Sequence, residues 1–531
     1  MSEKKAQTFL QGTALLALAN AIVKVIGAVY KIPLNAIIGE QGFGYFNTAY
    51  EINSVLLMIS TAGLPVAMSR MISEASARGH YAQVRRIYTT SNTIFLGLGI
   101  AGSLLMTVFC RQLAQFQNQP DAWAAIGCLG PSMLLICIMS SYRGFSQGES
   151  DMLPTSVSQV IEAGVKLVVG MVAAIALLRL TQSIPLAAAG AILGVTVSCL
   201  VSVIYLHHCF RKSYKALPVT DEEVTTFGAT TKMLLAIAVP ITIGSAGLQL
   251  LTMLETKVYM GQLLSIGYAQ DEADTMRGIY SMTQTIFNMP CSFIYPITIP
   301  IIPAITAQLT LGEHRNAQAT GESAARVTGL ICMPCAIGLA VLAEPVTALL
   351  GGYDGEKLAL ATRLMTILGI SIIFNAVVLL TNAMMQAHGH PTIPVINVFV
   401  GGLVKLAIIF LLTGNPAINI MGAPVGTVCC YLVITILNLI TMARVVPHPP
   451  AVIRNLIRPF IAAAIMGGCA WSAWWALKNL AGIGSSLILC ALPVMVGVVV
   501  YVIAAVTLKV ITREDCMLLP KGEKIAKLLH L

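Results

Sequence analysis

Seven ionisable residues stand inside runs of the chain that are otherwise apolar: Lys24, Glu51, Glu162, Lys166, Glu255, Lys257 and Lys405. A charge at the centre of a bilayer costs at least about 2.5–3.5 kcal/mol, so each needs an opposite charge or a wet cavity. Ammonium groups placed in this way are suited to holding an anion, such as a phosphate, that lipid would reject. Lys24 is the clearest case: it has no acid three or four residues away, and Asn20 sits one turn earlier. Glu51, in the first third of the next run, is its candidate counter-ion. Glu162 and Lys166 share a helix face at i, i+4, where they either neutralise each other or line a cavity. Lys405 has Gly401 four residues earlier in place of an acid, so its partner must come from elsewhere. Glu255 and Lys257 lie two apart and cannot face each other on a helix; snorkelling to an interface suits them as well as a central role. Lys31, at the end of the first run, completes the candidate substrate-binding set of a central cavity.

No catalytic constellation accompanies these charges. The histidines fall in loops or at the ends of apolar runs, without metal-ligand spacing, and Gly39-x-x-Gly42-x-Gly44 opens no βαβ unit, so its glycines read as turn formers. Cys332-Met-Pro-Cys335 has redox or metal spacing, but it lies within an apolar run and lacks a second Cys or His pair, which makes it packing. No loop reaches the size of a catalytic domain, the longest being near 211–231. The chain is expected to be neither an enzyme nor a cofactor protein. Coupling to Na+, H+ or the membrane potential stays open.

The elements that must position the charges are membrane helices. The 531 residues are 56% hydrophobic and 10% charged, where a soluble chain carries roughly 25% charged residues. About 20 apolar residues cross a hydrocarbon core. On that measure the chain is an all-α integral membrane protein with about fourteen spans. They lie near 9–30, 46–68, 88–110, 122–141, 155–178, 187–209, 233–255, 282–306, 327–343, 363–385, 393–413, 421–442, 459–478 and 486–508. The first follows Met1-Ser2-Glu3-Lys4-Lys5 without a small-residue cleavage pattern and reads as a retained helix. Lysines and arginines favour one set of connecting segments by about three to one, which places both termini in the cytoplasm of a cell whose plasma membrane holds the protein. The net charge of +9 is mostly this topological signal, directed at anionic lipid. No aromatic-interleaved basic patch suggests nucleic acid.

The chain also repeats itself. Gln147, Pro154 and Val165-Lys166-Leu167 return as Gln386, Pro394 and Val404-Lys405-Leu406, and Gly190-Ala191-x-x-Gly194 returns as Gly422-Ala423-x-x-Gly426. Pro65, read as a helix end before a basic loop, has its counterpart in Pro303. The pattern implies an N-lobe (1–231, six helices), a C-lobe (232–443, six helices) and an appended pair of helices with a tail (444–531). Two parallel repeats of six are related by a pseudo-two-fold axis along the membrane normal and suggest a transporter that works by alternating access.

Residues 24–74 carry the most specific pattern: Lys24-Val-Ile-Gly27-Ala-Val-Tyr30-Lys31-Ile-Pro33, Ile38-Gly39-Glu-Gln-Gly42-Phe-Gly44-Tyr45, Ser60-Thr-Ala-Gly63-Leu-Pro65-Val-Ala-Met-Ser69 and Ser73-Glu74. These stretches resemble the stage V sporulation protein B branch of the polysaccharide transporters. That branch lies in the multidrug/oligosaccharidyl-lipid/polysaccharide exporter superfamily and is similar to MurJ-type lipid II flippases. The resemblance implies a monomer that exports an undecaprenyl-pyrophosphate-linked oligosaccharide, a cell-wall precursor like lipid II, with helices 13 and 14 forming a groove for the polyprenyl tail. MurJ-type flippases carry arginines in helices 1 and 2. Here Lys24 falls on one such position and Tyr30 on another, and helix 2 has no arginine before Arg70. Lysine is a point charge without the bidentate fork of arginine, so the same substrate would be gripped differently.

The expected function is therefore a lipid-linked oligosaccharide flippase. The alternative is a cation-coupled antiporter of small solutes or drugs from the same superfamily, in which acidic cavity residues should dominate. Four embedded lysines against three glutamates, and two extra helices, favour the anionic lipid. A scaffold of a sporulation or division complex would need no embedded charge. The topology has a direct check: a cysteine replacing Gln115 should react with a membrane-impermeant thiol reagent in intact cells. Reaction only after permeabilisation would reverse the assignment.

Overall fold

The computed structural model describes residues 3–510 other than 150, 221, 299, 300 and 483; the side chains of 3–18, 20, 21, 24, 25, 28, 292–298, 303 and 304 also lie outside the description. A bilayer offers no water to backbone N–H and C=O groups, so an apolar chain satisfies them within helices. The described residues form α1 (Glu3–Thr61), α2 (Leu64–Ala77), α3 (Tyr81–Val108), α4 (Cys110–Phe116), α5 (Trp123–Gly148), α6 (Leu153–Thr181), α7 (Ile184–Ala216) and α8 (Phe227–Ser265). There follow α9 (Gln270–Thr298), α10 (Ile301–Thr310), α11 (His314–Val341), α12 (Ala343–Gly351), α13 (Gly355–Ala387), α14 (Thr392–Thr413), α15 (Gly422–Val445), α16 (Val452–Asn479) and α17 (Ser486–Thr507). Among the described residues, 12 helical segments are long and apolar enough to cross a membrane. They agree with the expected fourteen spans because the first two share α1 and the eighth falls on α9 and α10, which are only partly described. The protein is an all-α, multi-pass membrane protein.

Four local expectations are corrected. The stretch 31–45 between the first two expected spans is helical: α1 passes through it and departs from helical geometry at Gly39, with φ of 70° and ψ of 177°. That region is essentially closed to residues with a Cβ. Gly42 and Gly44, read as turn formers, are instead helical positions of close approach. A Cβ at Gly42 would lie 3.0 Å from Ile184 Cγ2, and one at Gly44 would lie 3.4 Å from the Asp274 carbonyl oxygen. The stretch between the seventh and eighth expected spans is largely helical as well, since α8 continues to Ser265 and α9 begins at Gln270. Asp271, Glu272, Asp274 and Arg277 interrupt the apolar pattern there, but Ala273, Asp274, Arg277 and Gly278 form a buried face. Pro65, finally, opens α2 rather than ending a helix, as suits a residue with no N–H to donate.

The described chain divides into two compact units, Met1–Gly278 and Ile279–Leu531. In the first, α6 and α7 pack through small residues: a Cβ at Gly194 would lie 2.4 Å from Gly170 Cα and 3.2 Å from the Lys166 carbonyl oxygen. In the second, a Cβ at Gly426 would lie 2.7 Å from Ile409 Cγ1 and 3.3 Å from the Lys405 carbonyl oxygen. Each unit thus seats a glycine against the backbone of the lysine on the preceding helix. Such close approaches drive helix association where lipid removes the hydrophobic incentive. A side chain at Gly194 has no room, so Gly194→Val should destabilise the purified protein by about 1–3 kcal/mol or more. Gly164→Val, where nothing lies within 4 Å of a new Cβ, should leave the thermal midpoint near that of the wild type.

Candidate functional site

In the first unit, charge converges from four helices. α1 supplies Lys31 and Glu51, α5 supplies Arg143, α6 supplies Glu162 and Lys166, and α9 supplies Arg277. Arg277 is fully buried, with its Nη2 3.1 Å from Glu51 Oε2. Its Nη1 donates a hydrogen bond of 2.7 Å to the Tyr259 hydroxyl on α8, and its guanidinium carbon stands 5.9 Å from the centre of the Tyr259 ring. The Glu51 contact is an ion pair without hydrogen-bond alignment. Arg277 Nε and Nη2 have no hydrogen-bond partner among the described residues. A buried guanidinium with donors to spare is held by charge and can still receive an acceptor.

Lys31 and Lys166 lie within electrostatic reach of each other, and Lys31 is also within reach of Glu51. Both lysines are half-buried. Neither makes an ion pair among the described residues. Glu162 does not neutralise Lys166, although the two share a helix. Its Oε2 accepts from Arg143 Nη2 at 3.1 Å, while Arg143 Nε donates to Ser158 Oγ at 3.0 Å. The guanidinium of α5 offers two donors in a fixed fork and so satisfies two groups of α6 at once, which an ammonium on a flexible stem does less well. Lys166 thus makes no ion pair with Glu162, and its charge acts on Lys31. Like charges at such range repel and each favours an anion between or beside them.

The remaining sequence candidates separate. The side chains of Asn20 and Lys24 lie outside the described residues. Glu255 is buried on α8. Lys257 Nζ lies 3.4 Å from the centre of the Phe116 ring of α4, a cation–π contact that holds the ammonium at the protein. Lys405 belongs to the second unit, on α14. Tyr30 is buried and donates to the Ala191 carbonyl of α7 at 3.1 Å, so this position binds α1 to α7. Sequence reasoning missed Arg277, because polar residues on both sides made its surroundings resemble a loop. Its signal was present in the i, i+3 spacing from Asp274 and in the apolar Ala273, Gly278, Ile279 and Tyr280 beside it.

Comparisons with known proteins agree with this architecture. A family model described as polysaccharide biosynthesis protein matches residues 9–308. Three proteins of Bacillus subtilis (strain 168) are similar along most of their length. The chain is 27% identical to the uncharacterized membrane protein YabM over 98% of this chain and 96% of that one. It is 28% identical to stage V sporulation protein B over 83% and 85%, and 22% identical to the lipid II flippase MurJ over 88% and 89%. Two solved structures share the fold. Lipid II flippase MurJ in an inward closed conformation matches with a TM-score of 0.67 at 12% identity, covering 93% of this chain and 98% of that one. An inward-facing multidrug resistance MATE family transporter of the MOP superfamily matches with a TM-score of 0.67 at 13% identity, covering 81% and 98%. The chain shares the fold of these two transporters and is a multi-pass membrane protein.

The Arg277–Glu51 pair has a measurable consequence. Arg277→Leu removes one partner of a buried pair and should destabilise the protein by about 3 kcal/mol or more, read as a lowered thermal midpoint and a lower yield of folded protein. Adding Glu51→Gln should restore most of the loss, because the acid no longer needs a counter-charge. An unchanged midpoint in the single variant would show that the pair does not hold the helices together.

Proposed function

The chain belongs to the polysaccharide biosynthesis protein family, and from that membership we propose that it flips an undecaprenyl-pyrophosphate-linked oligosaccharide precursor of the cell wall across the cytoplasmic membrane by alternating access. The observation that carries this reading is the pair of half-buried lysines, Lys31 and Lys166, whose charges act on each other and which make no ion pair among the described residues. Glu51 and Glu162 are already matched by Arg277 and Arg143. The cluster therefore carries an excess of positive charge in a place where lipid would not tolerate it unaided. A pyrophosphate supplies the missing negative charge and enough oxygens for several donors. Lys24, the embedded cation that the sequence singles out, is proposed as a further ligand of the same headgroup.

In this reading the lobes 1–231 and 232–443 rock about the bound headgroup, both termini face the cytoplasm and the protein acts as a monomer. The polyprenyl tail lies along α16 and α17, whose lipid-facing sides carry Ile461, Ile465, Val498, Val499 and Val502. The similarity to stage V sporulation protein B and to a lipid II flippase supports the lipid-linked substrate. The MATE neighbour supports a second reading, cation-coupled antiport of a small solute or drug. That reading needs an acid free to bind the cation, whereas Glu51 and Glu162 both hold arginines.

Complementation separates the two. Expression of this chain should restore growth to a strain depleted of its lipid II flippase. Lys31→Ala with Lys166→Ala, and Lys24→Ala alone, should each abolish rescue at normal membrane expression. Lysine-to-arginine changes should retain rescue, since either cation binds phosphate. Failure of the wild-type chain to rescue, with raised drug resistance instead, would transfer the assignment to the antiporter.

A further inference from the structure

The face of α6 that carries Lys166 is polar from the first turn of the helix onward. Counted from Thr155, the residues Gln159, Glu162 and Lys166 follow after four, seven and eleven positions, so at 3.6 residues per turn the four fall within about 60° of one another. The exposed apolar residues of the same helix, Leu153, Val168 and Val172, lie on the far side. That side meets lipid, and the polar stripe turns toward the protein. α5 meets the stripe with Arg143 and Gln147, one turn apart.

Charge is balanced here, but hydrogen bonding is not. Arg143 binds Glu162 and Ser158, and the two charged side chains remain 18% and 27% exposed, so the contact between the helices is not sealed. Gln147 Nε2 reaches Thr155 Oγ1 only at 3.5 Å, the outer limit of a hydrogen bond. Gln159 is half-buried, and its Oε1 is enclosed with no hydrogen-bond partner among the described residues. A buried amide oxygen without a donor is costly, so its retention needs a reason. The sequence repeat shows that packing is not the reason. At the offset of 239 or 240 residues that relates Gln147 to Gln386 and Pro154 to Pro394, Gln159 corresponds to Val398 or Phe399. An apolar side chain serves the equivalent place of the second repeat.

We propose that Gln159 and Gln147 form a subsite for the neutral sugar attached to the distal phosphate of the lipid-linked substrate, and that this subsite, not the cations, distinguishes a glycosylated carrier from a bare one. The sugar's place follows from the pyrophosphate reading of Lys31 and Lys166, on which this subsite depends. Gln159 precedes Lys166 by seven residues, about 10 Å along the helix. With phosphate at the ammonium groups, the next group of the ligand comes to the amides. A sugar is uncharged and mixes donors with acceptors, and each glutamine offers one acceptor oxygen and two N–H donors on a single plane. A further phosphate would call for cations instead, and a hydrocarbon chain would leave Gln159 Oε1 unpaired. A site built to hydrogen-bond its ligand discriminates sharply against an analogue that lacks the bonding groups.

Two probes of equal charge, binding to the full-length protein in lipid nanodiscs, test this. One is farnesyl pyrophosphate bearing N-acetylglucosamine on its distal phosphate; the other is the methyl ester, in which a methyl group takes the sugar's place. The wild type should bind the glycosylated probe about tenfold more tightly, the effect of one to two neutral hydrogen bonds. Gln159→Leu should weaken the glycosylated probe about fivefold and leave the methyl ester within about twofold. Gln147→Leu should act in the same way, and the two changes together should erase the preference. Lys31→Ala with Lys166→Ala should weaken both probes alike. Equal affinity of the wild type for the two probes would overturn the sugar subsite, as would a Gln159→Leu variant that loses both probes equally or neither. Should that variant not fold, Gln147→Leu decides by the same criterion. Unchanged binding of both probes after loss of both lysines overturns the pyrophosphate site and this subsite with it, whereas a preference that survives loss of both glutamines overturns the subsite alone.

Discussion

A guanidinium buried in a low-dielectric bundle must be matched by charge and geometry, and Arg277 imposes that requirement on three helices at once. Its Nη2 needs Glu51 of α1, its Nη1 needs Tyr259 of α8, and it rides on α9. Removing either partner leaves a charge or a donor enclosed without compensation, at a cost several times that of an ordinary surface contact. The backbone accommodates the demand. The next residue is Gly278, where any side chain would collide with the Glu40 carbonyl, so α9 can approach α1 closely enough for the arginine to reach Glu51. The kink at Gly39 precedes that contact by one residue and sets the direction in which the rest of α1 leaves it.

From this constraint follows a division between the two kinds of cation. Arg143 and Arg277 hold Glu162 and Glu51, each using a planar fork to satisfy more than one group. Lys31 and Lys166 hold no carboxylate among the described residues. An ammonium on a four-carbon stem retains freedom that a bridged guanidinium has lost, which suits a ligand that must be taken up on one side and released on the other. Tyr30 fits the same logic. A neutral aromatic with one hydroxyl serves better than a cation at a position that packs against Gly170 and donates to Ala191.

The sequence made the architecture legible because membrane helices are read from length and apolarity alone. The lysines at 166 and 405 and the glycines at 194 and 426 also stood out, since small residues and charges are rare events against an apolar background. What could not be read was partnership. Glu162 has Lys166 at helical spacing, and only the packing of α5 on α6 shows that Arg143 displaces it. Likewise Asp274 and Arg277 were indistinguishable from loop polarity until α9 was seen to bury one face. Helical periodicity reports which residues share a face, but not which neighbouring helix that face meets.

The separation of the two polar centres in the first unit has its own physical meaning. Lys31 and Lys166 form a site short of negative charge, whereas Asp274 is a buried carboxyl held by three side-chain donors, Gln119, Gln270 and Tyr45. Arg277 stands between them, one turn from Asp274 and in contact with Glu51, which in turn acts on Lys31. A change of charge at either centre therefore reaches the other through a single guanidinium. An anion near Lys31 competes with Glu51 for positive charge, and Glu51 released from that competition binds Arg277 more strongly. Neutralising Asp274 has the same direction of effect, since Arg277 then has only Glu51 to satisfy it.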